Sequence, residues 1–174
     1  MIQSVNPTPT DETDGLPMPR RIWAVISVGF ALCMSVLDVN IINIVLPTLS
    51  HDFGTSPAVT TWIINGYQLA IVVSLLSFSA LGEIIGYRKV YLSGIGLFCI
   101  TSLICALSDS FWTLTIARIF QGFSASAITS VNTAQLRYIY PKSQLGRGMG
   151  INAMVVAISA AAGPSVASGI LSIA

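Results

Sequence analysis

Apolar residues run almost unbroken from Ile22 to Leu46 and return in four further stretches, about 60–81, 90–107, 111–136 and 149–174, with short polar segments between them. A hydrocarbon core about 30 Å thick calls for roughly 20 apolar residues per helix, so each stretch is of crossing length. The pattern predicts an all-α membrane protein with five transmembrane helices. Pro47 is expected to end the first, because proline has no N–H to continue the helical ladder. Arg20 and Arg21 ahead of Ile22 imitate the start of a signal peptide, but the apolar run is too long and lacks an A-x-A-like cleavage site, so a retained anchor is expected. Residues 1–21 carry Pro7, Pro9, Pro17 and Pro19 with Asp11, Glu12 and Asp14. They have too little apolar surface to offset the entropy of ordering and read as a disordered tail.

Polar residues inside the spans change the picture. Asp38, Asn40 and Asn43 interrupt the first, and Arg118 lies within the fourth. An ionised side chain at mid-bilayer depth costs on the order of 2.5–3.5 kcal/mol on insertion scales, so such residues face a protein interior or a watery path. At about 1.5 Å rise per residue, Asp38 lies roughly 12 Å from the Leu46 end of its span and Arg118 roughly 10 Å from Phe111. Antiparallel spans bring the two to similar depth, and pairing between them is expected. On the fourth span Arg118, Gln121, Gly122, Ala125, Thr129 and Asn132 share one helical side. Gln121 and Asn132 suit either a polar path or hydrogen bonds between packed helices. Asn65 and Gln68 in the second span carry the same two readings. Trp62, Tyr67 and Trp112 are expected as interfacial belt aromatics, and Ala153, Ala157 and Ala161 as a small-residue packing face.

Composition agrees with membrane residence: 53% of residues are hydrophobic, 9% are charged and the mean hydropathy is +0.79. Seven of the eight basic residues fall on one side: Arg20, Arg21, Arg88, Lys89, Arg137, Lys142 and Arg147. Basic residues near span ends stay cytoplasmic, which places the N-terminus in the cytoplasm and the chain as a multi-pass protein of the cytoplasmic (inner) membrane. These charges form no continuous basic face, which excludes a nucleic-acid partner. Cys33, Cys99 and Cys105 have no metal-ligand spacing and read as buried packing residues. His51 reads as a surface side chain of an outer loop. No phosphate-binding, metalloprotease or nucleophile-elbow motif is present, so neither an enzyme nor a cofactor or metal is expected.

Three segments carry a resemblance. L-D-V-N-I-I-N-I-V-L-P at Leu37–Pro47, I-A-R-I-F-Q-G at Ile116–Gly122 and A-A-G-P-S-V-A-S-G at Ala161–Gly169 resemble the first-, fourth- and fifth-span signatures of the major facilitator superfamily, in particular its fourteen-helix drug/proton antiporters. The resemblance implies that the five helices form most of one six-helix half, with a small-molecule substrate, membrane lipid around it and protons as the coupling ion. It implies a proton or substrate path through Asp38, Asn43, Arg118 and Gln121. It also implies a conformational latch at the loop holding Glu83, Gly86, Arg88 and Lys89, and a helix-five seal at Gly163 and Pro164. Two departures stand out. Glu83, Ile84 and Tyr87 replace an Asp and two Arg of the superfamily loop, and Ala167 and Ser168 replace paired glycines.

Two functions remain open on the sequence. One is the N-terminal part, residues 22–174, of a proton-coupled exporter of amphiphilic or cationic compounds, whose C-terminal half is missing from this chain. The other is a small five-span subunit or adaptor, or an inactive fragment, in which Asp38 and Arg118 only hold helices together. An antibody against residues 1–21 separates them: the first predicts a membrane product several-fold heavier than 18.4 kDa, the second a product of 18.4 kDa.

Overall fold

The computed structural model of the chain describes residues 15–171. Five long helices dominate: α1 (Met18–Asp52), α3 (Trp62–Ile85), α4 (Tyr87–Ala106), α5 (Phe111–Ile139) and α6 (Leu145–Leu171). A single turn, α2 (Pro57–Thr60), and a 3₁₀ turn at Lys142–Gln144 complete the order, and no strand occurs among the described residues. The first fourteen residues of the tail expected at 1–21 and the last three residues of the fifth span lie outside the described residues.

α1 departs from the sequence reading at both ends. Pro17 caps it and Pro19 sits in its first turn, where the backbone N–H groups have no helical partner to lose. Arg20 and Arg21 are therefore helical rather than part of a tail. Pro47 lies inside α1 instead of ending it. It removes one ladder bond, but its fixed φ is helical and the residues beyond it bond onward to Asp52. At 35 residues, α1 extends about 50 Å, longer than a hydrocarbon core, so it must tilt or project.

The other boundaries follow local chemistry. Ser110 starts α5 with its hydroxyl accepting from the Thr113 N–H at 3.3 Å. Gly86 alone joins α3 to α4 with φ +99°, a conformation that a β-carbon disfavours. Pro164 lies within α6, which continues through it.

By length and composition α1, the stretch Pro57–Ile85, α4 and the stretch Lys142–Gly169 qualify to cross a membrane. α5 is long enough but carries too many polar side chains to join them. Its position explains why it can: α5 packs along α3 and α4 and also meets α1 and α6, so its polar stripe faces protein. Arg118, Gln121, Ser124, Ser126 and Asn132 are all buried there.

Small residues set the closest approaches. A β-carbon on Gly122 would sit 2.5 Å from the Tyr67 carbonyl oxygen and 2.8 Å from Ala70 Cβ, which shows how tightly α5 presses on α3. α6 packs on α1 through Ser159, Gly163 and Ala167, all buried, and a β-carbon on Gly163 would lie 2.6 Å from Asn40 Cβ. The expected face of Ala153, Ala157 and Ala161 is exposed instead. Two small-residue stripes at four-residue spacing run along α6, and α1 takes the one containing Gly163 because it admits the nearer contact.

At the end where α1 begins, Gly15 and Leu16 lie across the α5–α6 connection. The Leu16 N–H donates to the Ile139 carbonyl at 3.2 Å. Arg21 donates from Nε to the Leu16 carbonyl at 3.1 Å and from Nη1 to Gln144 Oε1 at 3.1 Å. Gly15 has φ +91° and no room for a side chain, since a β-carbon would stand 2.8 Å from the Pro141 nitrogen.

Gly122→Leu should destabilise the bundle by about 1–3 kcal/mol, because backbone rather than a flexible side chain blocks the new atoms. Gly150→Ala, with open space around it, should be neutral or stabilising by up to about 1 kcal/mol. Thermal unfolding in detergent compares the two.

Candidate functional site

Arg118 is the centre of the polar cluster inside the bundle. α5 carries it at 2% exposure, and among the described residues its one carboxylate partner comes from α1, where Arg118 Nη1 donates to Asp38 Oδ2 at 2.7 Å. The same Nη1 donates to Gln121 Oε1 at 2.7 Å, a pairing available because residues three apart are neighbours on a helix. Gln121 Nε2 closes the triangle by donating to Asp38 Oδ1 at 3.2 Å. From α4 the Cys105 thiol adds a long contact of 3.5 Å to Gln121 Oε1. From α3 the Tyr67 ring lies under the guanidinium, 4.6 Å from Cζ to the ring centroid.

The cluster is not symmetric. The Asp38 side chain keeps 21% of its surface accessible against 3% for Arg118, and Gln121 is wholly enclosed. The carboxylate is thus the member that a proton or ligand can reach. Among the described residues Arg118 Nε and Nη2 have no hydrogen-bond partner. A buried donor left unsatisfied costs about 1–3 kcal/mol; the Tyr67 ring face lying against the guanidinium opposes part of that cost.

The structure therefore brings together Asp38, Arg118 and Gln121, but not Asn43. Asn43 is exposed and its Nδ2 donates to its own helix at the Val39 carbonyl, 2.8 Å away. Asn40 is held likewise, to the Val36 carbonyl at 2.8 Å, and meets Gly163 of α6. Pro164, the neighbour of Gly163, is exposed. Glu83, Gly86, Arg88 and Lys89 lie at the α3–α4 junction and are exposed; among the described residues none of the three charged ones forms an ion pair. Glu83, Gly86 and Arg88 line an open cavity of about 890 Å³ together with Arg20, Ser27 and Gln135.

Several expectations need correction. Tyr67 is not a belt aromatic: it is 2% exposed and belongs to the cluster, whereas Trp62 and Trp112 are exposed as expected. The signal was present, because Ile63, Tyr67, Ala70 and Ser74 are spaced as one packing face of a helix and all four are buried. Of the cysteines, Cys99 is exposed and Cys33 and Cys105 are half-buried, so none is a fully enclosed packing residue. Asn65 and Gln68 make no hydrogen bond across helices among the described residues; they line a shallow outer hollow with Trp62, Leu69 and Val72. His51 is in the last turn of α1 rather than a loop, exposed, with Nδ1 3.5 Å from Asp52 Oδ1.

Comparison with known proteins gives a concordant result. The family profile described as Major Facilitator Superfamily matches residues 28–174. The "Uncharacterized transporter YebQ" of Escherichia coli K12 is 52% identical over 166 residues, which cover 95% of this chain and 36% of that protein. The "Riboflavin transporter RibZ" of Clostridioides difficile is 32% identical over 153 residues, covering 87% of this chain and 34% of that protein. The "Tetracenomycin C resistance and export protein" of Streptomyces glaucescens is 34% identical over 159 residues, covering 91% of this chain and 29% of that protein. The chain thus spans about a third of the length of these curated relatives.

Removing one partner of a buried ion pair leaves the other charge uncompensated. Arg118→Leu alone should destabilise the bundle by about 3–5 kcal/mol. Adding Asp38→Asn should recover much of this, since the amide no longer needs a cation and still bonds Gln121. Unfolding midpoints of the single and double variants in detergent test the coupling.

Proposed function

This chain belongs to the major facilitator superfamily, and from that premise we propose that it is the N-terminal part of a proton-coupled secondary transporter that exports small amphiphilic or cationic compounds across the cytoplasmic membrane. The observation that carries the proposal is the Asp38–Arg118–Gln121 triangle, with its accessible carboxylate and enclosed cation.

A proton arriving at Asp38 converts a neutral ion pair into a lone buried cation. The hydrogen bonds from Arg118 and Gln121 that favour the carboxylate then lose their acceptor charge, and the helices carrying them, α1 and α5, favour a different arrangement. A cationic substrate near Asp38 competes with the proton for the same charge, which links export of one to entry of the other. No bound cofactor takes part, and the proton is the coupling ion. Export is favoured over uptake by Gly163–Pro164 in α6 and by relatives whose names include resistance and export. The name of another relative specifies riboflavin, so the substrate is proposed only as a class.

The remaining residues take supporting parts in this reading. Glu83, Gly86, Arg88 and Lys89 form the latch against the second half of the transporter. Gly163, seated on Asn40 two residues from Asp38, makes the α6 contact that limits proton leak. The end of the bundle that gathers Arg20, Arg21, Arg88, Lys89, Arg137, Lys142 and Arg147 faces the cytoplasm.

Asp38→Asn in the complete transporter should leave membrane insertion intact and reduce pH-gradient-driven accumulation of ethidium and riboflavin in inside-out vesicles at least tenfold. Accumulation at the native rate would remove Asp38 from the coupling mechanism.

A further inference from the structure

Beside the ion cluster, α1, α3 and α5 line a second feature, an open cavity of about 230 Å³. Its walls are mostly apolar, among them Leu32, Val36 and Ile71. Of its polar lining groups, the hydroxyls of Ser35 and Thr129 are bonded to backbone carbonyls of their own helices at 3.0 and 2.9 Å. Neither Asp38, Arg118 nor Gln121 lines it. Tyr67 does, and its ring is also the surface that lies against the Arg118 guanidinium. One side chain therefore forms both the wall of the cavity and the floor of the cation.

Tyr67 is held there firmly. It is 2% exposed, and α5 crosses its backbone at Gly122 with no space for a β-carbon. Its hydroxyl makes no hydrogen bond among the described residues, so the ring is fixed by packing at one end and free of polar anchorage at the other. A body entering the cavity meets that ring, and any tilt of the ring changes the attraction it exerts on Arg118. Attraction between a cation and an aromatic face depends on distance and angle and strengthens where water is excluded.

We infer that Tyr67 is the positioning residue through which occupation of the cavity acts on the Asp38–Arg118 pair. The inference rests on the proton-exchange reading above and adds to it the route by which the apolar part of a substrate is sensed. The titratable or charged groups around the pair come from four helices: Asp38 from α1, Tyr67 from α3, Cys105 from α4 and Arg118 from α5. α6 contributes none at this height, since its only ionisable side chain, Arg147, lies in its first turn. Tyr67 is the only one of the four that borders the cavity.

The test fills the cavity without needing a known substrate. Ile71 lines it one helical turn beyond Tyr67, so Ile71→Phe supplies the occupant covalently. The readout is carbodiimide labelling of the Asp38 carboxyl in membranes of the complete transporter, followed by mass spectrometry across a pH series. With Tyr67 present, Ile71→Phe should move the labelling midpoint by about one pH unit, a tenfold change in proton concentration. In a Tyr67→Leu background the same filling should leave the midpoint in place. Tyr67→Phe keeps the stacked ring and should restore the response, which separates the proposal from a general loss of packing. An equal movement with and without the ring, or no movement in the native background, would overturn the role of Tyr67 while leaving proton exchange at Asp38 standing. Labelling that is flat with pH in the native sequence would overturn the proton-exchange reading itself, and this inference with it.

Discussion

A guanidinium enclosed among apolar helices has to find its counter-charge inside the protein, and that requirement fixes which helices meet here. Arg118 is the side chain around which α1, α3, α4 and α5 each contribute a contact: a carboxylate, an aromatic face, a thiol by way of Gln121, and Gln121 itself. Lipid offers no such partners, so helix association at this depth is driven by polar satisfaction and close packing more than by a hydrophobic force. Gly122, one residue beyond Gln121, lets the backbones approach closely enough for the aromatic face to reach the cation. Electrostatic need and steric permission thus sit one helical turn apart on the same helix.

The same requirement explains the uneven character of the five long helices. α5 is the least lipid-like by composition and the most enclosed, whereas α3 and α4 cover its polar stripe and show apolar surface outward through residues such as Val72, Val73, Leu76 and Ile100. A chain that must carry charge through a membrane places it on a helix that others surround.

Much of this was legible beforehand. The number of long helices, the meeting of Asp38 with Arg118 and the buried stripe on α5 all follow from helical periodicity and the cost of charge in hydrocarbon. The errors have definable causes. Pro47 reads as a breaker, yet an interior proline can be carried by a helix that bends around the lost bond and the crowded carbonyl, and Pro19 counts toward a tail although proline costs nothing in a first turn. Ala153, Ala157 and Ala161 matched a packing pattern that Ser159, Gly163 and Ala167 match equally well, and periodicity alone does not rank two parallel stripes. Tyr67 was assigned by its depth near a boundary, when its register with Ile63, Ala70 and Ser74 was the better guide. Asn43 was carried by a signature, and no geometric argument had placed it beside Asp38; it bonds its own helix.

The crossing of Gly15 and Leu16 over the α5–α6 connection joins segments 123 residues apart through Arg21 and Gln144. Whatever is attached to the chain just ahead of Leu16 therefore pulls on the start of α6 as well as on α1. A reporter or purification handle fused directly at that point loads a joint between two helices, so a neutral fusion needs a slack spacer upstream of Gly15.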